Sequence, residues 1–300
     1  MISDFLIDHS IIFSKVYRRV VTPHDGMFFF WERAKCMFKE NVGHAPHYRH
    51  PKTLRDKLMW LTRYYRQPEK AICADKYRVR EYVAGKGLDS ILIPLIGVYD
   101  KAEDIDFDAL PDQFVLKCNH GSGMNKIVLD KSQTDIPAVR RQFDKWLATD
   151  FSKLYGEVQY RTIPRKIVCE HLLSETAPTE YQCWCINGEP ESLLVCRKNY
   201  DGTYDSGSFS TDFRQLFDRI AEQPAAGVLE RPKNLDTILQ YARILSKDFP
   251  FVRTDFYEVD GKIYLAELTF TPNGNYLTKY KEEFHERLGK KLVLPANKIV

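Results

Sequence analysis

Several features are missing from this 300-residue sequence, and each absence removes a class of protein. No stretch approaches the roughly 20 apolar residues that a membrane-spanning helix needs. The start has no basic segment followed by an apolar run, and Asp4 and Asp8 interrupt what apolar character there is, so no secretory leader is expected. The seven cysteines (36, 73, 118, 169, 183, 185 and 196) are odd in number and form no CxxC pair or zinc spacing. They read as reduced core residues, not as a disulfide framework or a metal centre. Internal repeats, low-complexity segments and the GxxxxGK[ST] phosphate loop are all absent. The expectation is a cytoplasmic chain whose only membrane contact is peripheral, at the inner face.

What is present suits a folded protein: 44% hydrophobic and 28% charged residues argue against extensive disorder, and 13% aromatics can fill a sizeable core. The length suits two domains or one two-lobed enzyme. Charge is uneven. Residues 1–70 hold 13 Lys+Arg against 7 Asp+Glu, whereas the remainder is slightly acidic. Segments such as Lys15-Val-Tyr-Arg-Arg19 suit either an acidic partner or a plain solvated helix face.

Residues 1–70 read as helical and basic, with Thr53 as N-cap of a helix carrying Leu54, Leu58 and Leu61 at helical spacing. A helix over 75–84 and a short strand over 91–96 follow. Strands at 114–118 and 126–130 flank a glycine-containing loop, and a helix covers 137–149. Strands at 166–170 and 181–195, a helix at 235–246 and a hairpin of 251–258 with 262–270 complete the chain. This is an α+β pattern, not a regularly alternating parallel sheet.

Four stretches could carry chemistry. In the last hairpin, a three-residue loop with Gly261 left-handed pairs Glu258 with Lys262 and places Arg253 opposite Glu267. Arg253, Asp255, Glu267 and Thr269 then share one face, where two facing carboxylates need a cation. Arg253 supplies one, and a hard divalent ion such as magnesium suits the rest. A surface ion cluster would look the same. Lys117, at a strand end before Gly121-Ser-Gly123, can present an ammonium and backbone N–H groups to phosphate, although such turns also occur in ordinary hairpins. Glu170 and His171 end an apolar strand, where free backbone groups can read an adenine edge or simply face solvent. Lys76 and Arg80, at i and i+4 on the 75–84 helix, suit phosphate or a solvated face.

In order, Asp75-Lys76, Ile93-Pro94, Phe-Val-Leu-Lys117-Cys-Asn-His-Gly-Ser-Gly123, Val-Cys-Glu170-His-Leu-Leu173, Arg253-Thr-Asp255 and Ala-Glu267-Leu-Thr-Phe-Thr-Pro272 resemble an ATP-grasp enzyme. The runs Pro51-Lys-Thr-Leu-Arg-Asp-Lys-Leu-Met-Trp-Leu61 and Leu110-Pro-Asp-Gln-Phe114 narrow this to the TupA-like ATP-grasp family of bacterial polysaccharide biosynthesis. The resemblance covers about residues 45–285. It implies two sheet-containing lobes clasping ATP: a glycine-loop lobe over about 112–172 and a metal-binding lobe over about 173–285. Both lie within an ATP-grasp domain of 71–300, behind an accessory region of 1–70.

By that resemblance Lys76 and Lys117 contact ATP phosphates, and His120, Gly121, Ser122 and Gly123 form the loop closing over them. Glu170 sits at the adenine, the backbone of His171, Leu172 and Leu173 is the hinge, and Glu180 reaches the ribose. Asp255 and Glu267 hold Mg2+, and Arg253 faces the oxyanion of the reacting carboxylate. The sequence departs from the family pattern twice. Thr269 stands where many relatives place a metal-binding asparagine, leaving Asn273 or Asn275 as substitutes, and Asn273 replaces the usual glycine after Thr-Pro.

The implied reaction is ATP-dependent carboxylate–amine ligation through an acylphosphate. Its partners would be an anionic glycan or uronic acid as acceptor and an amino acid as donor, with no nucleic acid. A glycosyltransferase, suggested by Asp104-Ile-Asp106 and Asp106-Phe-Asp108, and a non-catalytic nucleotide-binding module are the alternatives.

Overall fold

The computed structural model describes residues 11–21, 26–198, 204–220 and 229–300. Asp4 and Asp8, on which the expectation about a leader rested, lie outside the described residues. No described helix is long and apolar enough to cross a membrane.

Two antiparallel sheets organise the chain. The smaller has four strands in the order β1-β4-β2-β3: β1 (Leu95–Tyr99), β4 (Ile167–His171), β2 (Phe114–Cys118) and β3 (Asn125–Val128). The larger has five in the order β7-β6-β5-β8-β9: β7 (Tyr204–Phe209), β6 (Glu189–Lys198), β5 (Glu180–Ile186), β8 (Phe251–Val259) and β9 (Lys262–Thr269).

Each sheet buries its alternate residues against helices, as period-two alternation requires. Phe114, Leu116 and Cys118 of β2 pack with Val139 and Phe143 of a helix at Ile136–Ala148, whose N-cap Asp135 accepts the Ala138 N–H. In the larger sheet Cys183, Cys185, Val252 and Phe256 face Leu235, Ile238 and Leu245 of the helix Leu235–Ser246. Its opposite face packs Trp184 and Phe251 onto Leu54 and Leu58 of the helix Leu54–Tyr64, and onto Phe284 and Leu288 of Glu282–Lys291. The helix 54–64, drawn above with the first seventy residues, thus shares a core with the C-terminal lobe. Thr53 caps it by accepting the Asp56 N–H, an interaction of about 1 kcal/mol. All seven cysteines are buried and none is in a disulfide.

Three local expectations need correction. The helix expected over 75–84 begins only at Val79 and runs to Gly85, because residues 75–78 form a turn that follows a separate short helix, Pro68–Ala74. The reason is Asp75: its Oδ1 accepts the N–H groups of Tyr77 and Arg78 and the Asn119 amide, giving the backbone an alternative to helix. Lys76 therefore lies in the turn and not on a helix face with Arg80. The first strand begins at Leu95, because residues 89–91 form a 3-10 turn and Pro94 has no N–H to offer a ladder.

The last hairpin is also registered differently. Asp260 and Gly261 both have positive φ (51° and 75°), so they make a two-residue turn that pairs Val259 with Lys262. Further along, Phe256 pairs with Leu265 and Asp255 with Glu267, leaving Ala266 as an extra residue. This bulge shifts the register so that Arg253 opposes Thr269 and the two acids oppose each other. The buried residues of β9 are accordingly Ile263, Leu265 and Leu268.

Candidate active site

Side chains from both sheets line a shared recess. On the smaller sheet Lys117 Nζ lies 2.6 Å from Glu170 Oε2, a charge-assisted bond between neighbouring strands β2 and β4. Arg80 approaches the other oxygen of Glu170 at 3.8 Å and donates to the Ile93 carbonyl. Lys76 joins the lobes. Its Nζ donates to the Gly121 carbonyl at 2.5 Å and stands 3.9 Å from Glu267 Oε2. One narrow recess is lined by Lys76, Arg80, Lys117, Glu170 and Glu267, so lysines from the glycine-loop side and the acid of the last hairpin converge.

Beside it is a cavity of about 280 Å3. His171, Leu172 and Leu173 line one wall, Lys117 and Glu180 supply charges, and Val115, Ile127 and Tyr257 supply apolar surface. A cavity of this lining, with a strand-end backbone and a few polar groups, suits a heteroaromatic ring and its attached sugar. Glu180 reaches this cavity from β5, where it pairs with Tyr257.

The glycine loop is only partly free. His120 and Gly121 are buried, and burial followed by Arg165 lowers the His120 imidazole below its ordinary range. A Cβ on Gly121 would collide with Met124 and Phe151, which accounts for the glycine. Ser122 and Gly123 are exposed, Gly123 at φ 72°, so only these two of the four present an open backbone. Asn119 anchors the loop base by donating to Asp75 and Pro164 and accepting the Lys166 N–H.

On the larger sheet Arg253 holds Asp255 with Nε at 2.8 and 3.1 Å and Nη2 at 2.5 Å. Nη2 also reaches Glu267 at 3.3 Å and Thr269 at 3.2 Å. Asp255 is fully buried; burial pushes its carboxyl up, Arg253 opposes this, and Glu180 and Glu267 add to it. The Glu267 side chain keeps 30% exposure and is the accessible oxygen of the pair. Two carboxylates with a hydroxyl beside them are a hard-oxygen donor set, and the residues fit a magnesium ion that is also held by substrate phosphates. Thr269 donates to Glu267 at 2.9 Å. The possible substitutes lie elsewhere: Asn275 is buried and donates to Thr62, and Asn273 adopts the left-handed conformation (φ 49°) that the usual glycine would take.

One acid at this site escaped sequence reasoning. Glu157, from the 3-10 segment Val158–Thr162 region, accepts from Thr271 at 2.6 Å, and Gln159 donates to the same hydroxyl. Burial brings its carboxyl up to about 7, opposed by Thr271 and reinforced by Glu267. No periodicity or spacing marks it, since it lies about 110 residues before its partners. The Asp-rich run is not a site of this kind: Asp106 is exposed and accepts the Asp108 and Ala109 N–H groups, capping a turn.

A family model described as TupA-like ATPgrasp matches residues 56–293. No curated protein matches the chain. Among solved structures, D-alanine–D-alanine ligase from Bacillus anthracis complexed with ATP is similar at 18% identity and TM-score 0.41, over 66% of this chain and 55% of that one. D-Alanine–D-alanine ligase from Helicobacter pylori is 13% identical with TM-score 0.40, over 74% of this chain and 62% of that one. L-Amino acid ligase from Bacillus licheniformis is 15% identical with TM-score 0.45, over 87% of this chain and 55% of that one. The chain therefore spans less than two thirds of the length of these three structures.

Proposed function

The chain belongs to the TupA-like ATP-grasp family, its two antiparallel sheets being the ATP-grasp fold, and from that premise we propose that it is an ATP-dependent carboxylate–amine ligase. The observation that carries this reading is that Lys117, from the glycine-loop lobe, and Glu267, from the last hairpin, line one recess. ATP lies with its adenine in the 280 Å3 cavity, against the His171–Leu173 backbone, and its ribose toward Glu180. Glu170, expected at the adenine, lines the recess and not the 280 Å3 cavity, and in this reading it orients Lys117 and Arg80 beneath the phosphates. Lys76 and the exposed backbone of Ser122 and Gly123 close over them.

Asp255, Glu267 and Thr269 would hold magnesium, which supplies charge neutralisation at the transferred phosphoryl group. The protein's own part is alignment and electrostatic stabilisation. Lys76 and Lys117 offset charge on the phosphate oxygens. Arg253 has Nε and Nη2 engaged with its neighbours, and Nη1 is the donor not used in those bonds; it faces the developing oxyanion of the acceptor carboxylate. ATP phosphorylates that carboxylate, giving an acylphosphate and ADP, and an amine displaces phosphate. The acceptor is a uronic acid of a bacterial surface polysaccharide and the donor an amino acid.

The test is ADP release across a panel of uronates and amino acids. Release that requires one of each supports the ligase; sugar transfer from a sugar nucleotide without ATP overturns it. One observation favours a second reading, nucleotide binding without turnover: Thr269 gives its hydroxyl proton to Glu267 where a stronger metal ligand is usual. ATP binding with no ADP release under any pairing would select that reading.

A further inference from the structure

Away from the nucleotide site, three side chains of metal-ligand type meet at the start of the helix Leu54–Tyr64. One donor atom each of His44, His47 and Asp56 lie within 4.8 Å of one another. Two imidazoles and a carboxylate are a donor set that zinc takes with one position left open. Nitrogen donors set this cluster apart from the all-oxygen set of Asp255, Glu267 and Thr269, which suits magnesium.

Hydrogen bonds already orient the three groups as ligands. The Asp56 side chain is only 2% exposed. Its Oδ1 accepts the His47 backbone N–H at 3.0 Å and its Oδ2 accepts the Thr53 hydroxyl at 2.9 Å, so the carboxylate is fixed at both oxygens. His47 Nδ1 stands 3.1 Å from Asp56 Oδ2. Two ligands of a tetrahedral ion, each at about 2.0–2.1 Å, stand roughly 3.3 Å apart, so zinc can replace the proton between them while the ring proton moves to Nε2. His44 Nδ1 lies 2.9 Å from the Ala45 carbonyl, which only accepts; Nδ1 therefore carries the proton and Nε2 the lone pair. A backbone carbonyl on the second ring nitrogen is the usual outer partner of a metal-bound histidine. The two rings are stacked, their centroids 4.7 Å and their planes 14° apart.

Helix-end chemistry accounts for part of this arrangement. An acid in the first turn is favoured by the backbone N–H groups there. That role gives no reason for two imidazoles beside it, and a His47–Asp56 ion pair gives no reason for His44. The His47 side chain is 62% exposed, so ions in solution can reach the cluster.

The cluster also joins two parts of the fold. His44 follows Gly43, the left-handed C-cap of the helix Met27–Val42, and its ring meets Phe38 of that helix edge-on at 5.8 Å. Asp56 belongs to the helix that shares a core with the C-terminal lobe. We propose that His44, His47 and Asp56 bind a zinc ion, with water in the fourth position, that pins the end of the helix Met27–Val42 to the helix Leu54–Tyr64. The assignment does not depend on the ligase reading.

Calorimetry with zinc chloride tests it, on the full chain stripped with EDTA and kept in excess magnesium. One zinc ion per chain should bind with a micromolar or tighter Kd, and the thermal midpoint should rise by several degrees. The double variant His44→Ala/His47→Ala changes a half-buried and an exposed side chain. It should bind zinc at least about 100-fold more weakly, since loss of outer partners alone costs about 10–100-fold. It should also lose the zinc-dependent rise, with Mg-ATP affinity as the readout that the fold is kept. Glu267→Gln should bind zinc as the parent does. Absence of zinc binding, binding that the double variant leaves unchanged, or binding lost in Glu267→Gln overturns the site. Binding at these residues with no rise in midpoint overturns the pinning role.

Discussion

Asp255 lies directly opposite Glu267 across the last hairpin, and the single guanidinium of Arg253 holds both carboxylates. Two like charges about 4 Å apart repel by ~1 to 4 kcal/mol, depending on how well water screens them. Asp255 has no exposure, so its compensation must come from within the site.

Replacing Arg253 with methionine leaves that pair uncompensated. Loss of one partner from a buried ion pair costs about 3–5 kcal/mol. Urea unfolding should show a loss of this order, and added magnesium should restore part of it in the variant. A variant whose midpoint ignores magnesium would count against metal binding by the pair.

Glu267→Gln keeps the shape and removes the charge at a side chain that is 30% exposed. Thermal unfolding should shift little, while ADP release should fall by about 100-fold or more. Near-normal ADP production would exclude Glu267 as a metal ligand.

Lys117→Ala removes an ammonium that is 2.6 Å from Glu170 and lines the 280 Å3 cavity. Calorimetry should find ATP affinity lower by about tenfold, equivalent to about 1.4 kcal/mol. Unchanged affinity would place Lys117 outside the nucleotide site.

His285 offers a pH test away from the site. It is fully buried in the helix Glu282–Lys291, and burial, with Arg55 second, lowers its imidazole to about 4. The unfolded chain titrates near 6.5 and so takes up the proton first as pH falls. Stability is therefore undiminished by this group above about pH 6.5 and declines between there and about pH 4, by about 3 kcal/mol in all. Unfolding midpoints measured across this window should show the loss, and His285→Leu should flatten that part of the profile. An equal slope in both proteins would show that other groups carry it.

Much of the fold was legible because its cues are local. Leu54, Leu58 and Leu61 repeat with the helical period behind the Thr53 cap, and Gly261 takes the positive φ its turn requires. Phe114–Cys118 alternates as a sheet covered on one face must. What misled was also local: Asp75 and Lys76 fit a helix start by composition, but the Asp75 carboxylate accepts from Asn119, 44 residues away, and the helix begins only at Val79.

The amino-acid order by itself determined the kinds of element, the glycine loop after Lys117 and the acidic character of the final hairpin, because propensity, turn chemistry and periodicity act over a few residues. Only the tertiary structure decided that Ala266 bulges out to set Asp255 against Glu267, that Lys76 bridges Gly121 and Glu267, and that Glu157 comes to Thr271. Those relationships depend on how two sheets pack. Packing is a balance of burial and charge between residues far apart in the chain, which no local pattern encodes.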